Sequence, residues 1–204
     1  MKLSVRTLLL TLYFLLQTSS PLHSASLSPK VLLIAKSLIG TKEVGNNGGY
    51  WVERFQKVTK SPKGAQWCAS FVNFCLDSAG VKGLPFTGSG LARTFATRNK
   101  TIKAKDVIAQ NMTLPPGTII VWRRGTTPFG HAGIVDTWQG KSGTTVEGNT
   151  SSGLKGSQHD GDGVRFHVFV IHGIGGDVFF NHKVVLGTFN PFVGKNDFLV
   201  GTVS

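Results

Sequence analysis

Apolar residues recur at helical spacing through the first 80 positions and at alternate positions after residue 117. Cys68, Ala69, Phe71, Val72, Cys75, Leu76 and Ala79 follow the i, i+3, i+4, i+7 stripe of a helix with one face in a core. Gly80 comes straight after the last of them and is a natural stop, because glycine accepts the left-handed conformation there. Earlier, Ser28-Pro29 reads as an N-cap with proline at the first helical position, and Val31 to Ile39 is strongly apolar, so a largely buried helix is expected over 29–39. Thr41 to Gly49 is a loop with turn chemistry in Asn46-Asn47-Gly48-Gly49, and Trp51, Val52, Phe55 and Val58 mark a short amphipathic helix. Residues 81–112 are poorly patterned, with one short helix expected near Gly90–Arg98.

Pro115-Pro116-Gly117 is a hard break, and the period changes after it. Thr118 to Arg123, His131 to Trp138, Gly143 to Asn149 and Val164 to Ile171 are β-rich runs divided by Gly, Thr and Asp turns. Helices followed by antiparallel strands indicate an α+β domain. Residues 172–204 hold apolar pieces among glycines, and their pattern leaves open an added hairpin or a loosely held tail.

Two features carry candidate chemistry. Cys68 falls in the first turn of its helix, where unpaired N–H groups and the positive end of the helix dipole stabilise a thiolate. Alone in an apolar helix, a cysteine is more often structural. The second feature changes that balance. If Gln139-Gly140-Lys141 is a three-residue hairpin loop, His131 lies opposite Asn149 and diagonal to Glu147. Period-two alternation then puts all three on one face, a base with candidate orienting groups beside it. Seven helical residues rise by about 10.5 Å, beyond the roughly 7 Å reach of a disulfide, so Cys68 and Cys75 should both be free thiols.

Composition narrows the setting. The 204 residues suffice for one domain with a real core. Lys2 and Arg6, the short apolar run Leu8 to Leu16, and small residues around Ser24-Ala25 read as a signal peptide over 1–24. A run that short would not span a bilayer, and no later stretch is longer, so a secreted or periplasmic monomer without a membrane span is expected. Export would remove two of the 22 basic side chains and none of the 10 acidic ones, leaving a strongly positive surface. Such a surface suits polyanions, among them the acidic polymers of a cell wall. Nucleic acid is not expected as a partner, since no recognition motif or clustered basic run is present.

Taken in order, Gly45-Asn46-Asn47-Gly48, Trp67-Cys68-Ala69-Ser70-Phe71-Val72, Pro116-Gly117-Thr118-Ile119-Ile120-Val121, Gly130-His131-Ala132-Gly133-Ile134-Val135, Glu147-Gly148-Asn149-Thr150-Ser151 and Gly161-Asp162-Gly163-Val164 make a specific set. With them the chain closely resembles the CHAP domain, the cysteine- and histidine-dependent amidohydrolase/peptidase group of papain-like fold. The resemblance covers most of residues 30–171, giving a catalytic domain over 25–171 and an extension over 172–204 to which nothing is transferred. It implies Cys68 as nucleophile, His131 as base, Glu147 as orienter and Asn149 as an accessory hydrogen-bonding residue. It also implies amide hydrolysis in peptidoglycan without a cofactor or metal. The Asn46-Asn47 loop lacks the clustered acids of a calcium site, and Asp160 with Asp162 supplies too few. Two other readings are weighed. A zinc amidase would need ligands from His159, His167, His172 and His182, whose spacing fits no zinc signature. A wall-binding module without catalysis would have no need of Cys68, His131 and Glu147 together.

Overall fold

The structure, a computed structural model, describes residues 27–81, 88–96, 101–123, 127, 129–151, 161–170 and 177–181. Three helices come first: α1 (Leu27–Ser37), α2 (Tyr50–Val58) and α3 (Cys68–Ala79), followed by a 3-10 turn at Ala92–Phe95. Then come β1 (Ile102–Lys103), α4 (Ala104–Ala109), β2 (Thr113–Leu114), β3 (Ile119–Arg123), β4 (Gly130–Gln139), β5 (Ser142–Thr150), β6 (Gly163–Val170) and β7 (Asp177–Asn181). The strands form one antiparallel sheet in the order β1-β7-β3-β4-β5-β6, with β2 paired to β4. The expected α+β arrangement of helices on an antiparallel sheet is present.

Alternation along the central strands divides the core in two. Ile119 and Val121 of β3 and Ala132 and Ile134 of β4 join Phe55, Trp67, Phe71, Val72 and Leu76 on the side of α1–α3. Ile120 and Val135 face the other way, toward Ile102, Val107, Leu114 and Trp138. Helix α3 lies at the centre of the first layer because nine of its twelve residues are buried. Burying a side chain such as Phe71 fully is worth about 1.5–3 kcal/mol, so this face fixes the helix firmly. Its end is set by Gly80 at φ 91°, with the Val81 N–H donating to the Leu76 carbonyl.

Several expectations are corrected. Helix α1 starts at Leu27 and stops at Ser37, with a turn over 38–40. Pro29 therefore sits third in the helix, where its missing N–H costs nothing, since the first four amides have no intrahelical acceptor. Where a short helix was expected near Gly90–Arg98, the described residues through 96 form a 3-10 turn at Ala92–Phe95. The stretch read as poorly patterned contributes α4 and the two-residue strand β1, and β2 follows just after it, each too short to show a period. Within 172–204, Asp177–Asn181 enters the sheet as β7 between β1 and β3. Residues 1–24 lie outside the described residues. Among those described, no helix is long and apolar enough to cross a membrane.

The β4–β5 hairpin reaches its expected register by another route. Its loop has two residues, Gly140 and Lys141, with Gln139 paired to Ser142. Gly140 has the positive φ expected of it, 53°. A bulge at Asp136 then absorbs one residue, so the ladder ends at Gly133 opposite Glu147, the pairing a three-residue loop would have produced. The bulge also explains why Val135 and Trp138, three apart, share one apolar cluster. Lys36 of α1 ties down the bulged Asp136 with an ion pair of 2.7 Å.

Candidate active site

Cys68 is the first residue of α3, and no side chain caps that end of the helix. The amides of its first turn therefore remain available to a thiolate or to a ligand's oxyanion. Strand β5, which carries Glu147, runs close against the same helix. A Cβ on Gly148 would stand 2.6 Å from Phe71 Cβ and 2.9 Å from the Trp67 ring, a separation only glycine permits. Glu147 is thereby turned away from the helix body, onto the face that His131 and Gly133 also occupy.

There Glu147 Oε2 lies 2.9 Å from His131 Nε2. Space for this contact comes from Gly133, directly opposite Glu147 on β4. A Cβ there would meet Glu147 Cγ at 2.7 Å. The other carboxylate oxygen, Oε1, accepts a hydrogen bond of 2.7 Å from Thr145 Oγ1, two residues back on the same face. Trp122, paired with His131 across β3–β4, holds its ring 5.5 Å from the imidazole. With Nε2 given to Glu147, Nδ1 is the nitrogen left for Cys68, to which His131 is also hydrogen-bonded. A continuous chain thus runs from Cys68 through His131 and Glu147 to Thr145.

The electrostatics of this chain favour a charged pair. Burial by itself would raise the Cys68 thiol, but the neighbouring charge and hydrogen bond of His131, with backbone bonds at Ala132 and Ala69, hold it below its ordinary 9.0. Burial likewise opposes a charge on His131, yet the Glu147 carboxylate, followed by Cys68, pushes it up from 6.5 to about 10. Both shifts favour the thiolate–imidazolium form of the pair, two groups that titrate together. Cys68 is 7 % exposed and His131 6 %, both buried but less completely than Glu147 at 0 %. Cys75 is a free thiol like Cys68, but it is 0 % exposed and burial drives its pKa far up.

Asn149 lies past the end of the β4–β5 ladder, which closes at Gly133 opposite Glu147, and it has φ 56° where the β5–β6 pairing shifts between Glu147 and Thr150. Its Oδ1 is buried and has no hydrogen-bond partner. Of the four histidines considered as zinc ligands, His167 lies on β6 with Nε2 3.0 Å from Thr150 Oγ1, and the other three fall outside the described residues. Among the described residues no three His, Cys, Asp or Glu side chains gather as a metal site. Asp162 donates its charge to an ion pair with Arg165, whose hydrogen bond keeps that carboxyl below its usual range, and Asp160 is outside the described residues.

Residues 59–149, the stretch containing Cys68, His131, Glu147 and Asn149, match the family model of the CHAP domain. This part of the chain is a CHAP domain. Membership implies a cysteine- and histidine-dependent amidase or peptidase of a family that acts on cell-wall peptidoglycan. No curated protein matches the chain. Three contributors to the CHAP site escape sequence reasoning. Thr145 was accessible by counting two residues back from Glu147. Gly133 and Trp122 were not, because their roles follow from strand register and close approach.

Proposed function

We propose that this protein is an exported peptidoglycan hydrolase, an N-acetylmuramoyl-L-alanine amidase or an endopeptidase, with Cys68 as its nucleophile. The observation that carries the reading is the Cys68–His131–Glu147 chain, with Cys68 low and His131 high in pKa. The Cys68 Sγ thiolate attacks the carbonyl carbon of the scissile amide, and amide N–H groups at the start of α3 receive the oxyanion. As the C–N bond breaks, His131 gives its proton to the departing amine, leaving a thioester on Cys68. Water then adds to the thioester, with His131 taking its proton, and the acid departs as the thiolate and imidazolium are restored. Glu147 holds the imidazole and stabilises its charge, a carboxylate–imidazolium bond being stronger than one from a neutral amide. Asn149 serves as an accessory hydrogen-bonding residue through its unpartnered Oδ1.

The test is release of new amino groups from purified peptidoglycan by the wild type and by Cys68→Ala, with folding followed by circular dichroism. The variant should fold and release none. Undiminished release would end the proposal. Mass spectrometry of the fragments identifies which amide is cut.

A further inference from the structure

Helix α2 and the loop after it form an open groove of about 570 Å³ lined by Tyr50, Arg54, Gln56, Lys57, Lys60 and Lys63 together with Glu53 and Ser61, and by none of Cys68, His131 and Glu147. Its charge is lopsided. Glu53, the single carboxylate, is occupied by Lys63 at 2.9 Å, which leaves Arg54, Lys57 and Lys60. Arg54 is already set in position, its Nη1 donating to Tyr50 Oη at 3.1 Å and its guanidinium 5.3 Å from the centre of the Tyr50 ring. Tyr50 is itself 70 % exposed, so an aromatic face is offered beside the cations.

One further observation points to a ligand. Gln56 is 2 % exposed, and its Nε2 donates to the carbonyls of Asn47 at 3.0 Å and Ala65 at 2.7 Å. Those bonds fix the amide's orientation and leave Oε1, a buried acceptor, without a partner. A buried acceptor left unpaired is costly, and an O–H or N–H donor from a ligand would recover that cost. Lys60 stands at φ 53°, the left-handed position that closes α2, its N–H donating to the Lys57 carbonyl and the Ser61 N–H to the Gln56 carbonyl. Glycine or asparagine is the usual residue there; lysine adds a cation at the groove.

We propose that this groove is a second, non-catalytic site that takes the anionic, hydroxyl-bearing part of a cell-wall polymer. Phosphate or carboxylate groups meet Arg54, Lys57 and Lys60, the polyol or sugar face lies on Tyr50, and a hydroxyl or N–H reaches Gln56 Oε1. The choice of a wall polymer rests on the function proposed above, whereas the groove's chemistry does not. Long polymers would be held at the groove while a separate part of the same polymer reaches Cys68.

The test is co-sedimentation of the full chain, carrying Cys68→Ala so that nothing is cut, with insoluble sacculi. Half the sacculi keep their phosphate-bearing glycopolymers and half are stripped of them with hydrofluoric acid. Lys57→Glu combined with Lys60→Gly should raise the half-saturation concentration about tenfold at low salt, since exposed charges are screened as salt rises. The same charge change made elsewhere, Lys105→Glu with Lys141→Gly, should alter it less than twofold. Weakening confined to unstripped sacculi assigns the site to phosphate, and weakening on both assigns it to peptide carboxylates. Lys60→Gly alone should weaken binding while keeping or raising Tm, because glycine relieves the strained φ. A lowered Tm would make that lysine a structural helix-end residue and count against the site. Groove and control variants behaving alike on both preparations would overturn the proposal, as would equal displacement by duplex DNA at matched phosphate. None of these readings needs turnover, so a failure at Cys68 would be separately visible.

Discussion

Replacing Glu147 by Gln keeps the shape of the side chain and removes its charge. Raising an imidazole from 6.5 to about 10 corresponds to about 5 kcal/mol of preference for its charged form. Glu147 heads the groups responsible, acting against the burial that opposes the charge. In Glu147→Gln the burial remains and the carboxylate does not, so His131 should titrate well below 10. Cys68 then loses part of the imidazolium that lowers it, and its thiolate needs a higher pH. Activity against pH should narrow from both sides, with the acid limb moving up and the alkaline limb down, and the rate at pH 7 should fall about 10²–10⁴-fold. Stability carries the same signature. A raised histidine stabilises the fold fully below its unfolded value near 6.5, and that contribution is lost as pH rises through about 10. Urea unfolding should show the variant about 3–5 kcal/mol less stable at pH 6, with the gap closing toward pH 10.5. An alkaline limb that stays near 10, or a rate close to wild type, would refute the role given to Glu147.

Asn149→Ala removes a hydrogen bond but no charge, so its rate loss should be smaller and its pH profile nearly unchanged. Because Asn149 has φ 56°, Asn149→Gly should be the more stable of the two variants by about 1 kcal/mol in urea unfolding. If Asn149→Ala were the more damaging to activity and Glu147→Gln nearly neutral, the two roles would be exchanged. Gly133→Ala places a Cβ 2.7 Å from Glu147 Cγ, so the carboxylate must shift; kcat should drop at least tenfold, and the His131 titration, followed by NMR, should move down. Iodoacetamide should modify Cys68 quickly near pH 7 and Cys75 only after unfolding, since one thiol is lowered and partly open while the other is raised and fully buried. Peptide mapping that found Cys75 labelled first would contradict the packing of α3.

Helix α3 was legible in the sequence because its apolar stripe and Gly80 are local signals, and its start at Cys68 is where the pattern begins. The strands after Pro115-Pro116-Gly117 were legible for the same reason, and so was the meeting of His131 with Glu147, which needs only the period of two and one hairpin. What escaped depends on neighbours far along the chain. Strand β7 has five residues and acquires its identity from pairing with β3, 60 positions earlier at Ile120 and Phe180. The bulge at Asp136 is invisible in the alternation, and an error of one residue in the loop was cancelled by it. The left-handed φ of Asn149 and the shift in pairing beside it are equally invisible in the alternation. Gly133 and Gly148 read as weak strand formers; only the assembled sheet and helix show that each makes way for a specific side chain. Local pattern determined the elements and the residue types of the site. Register, bulges and close approach, which are properties of the packed sheet, decided which of those residues touch.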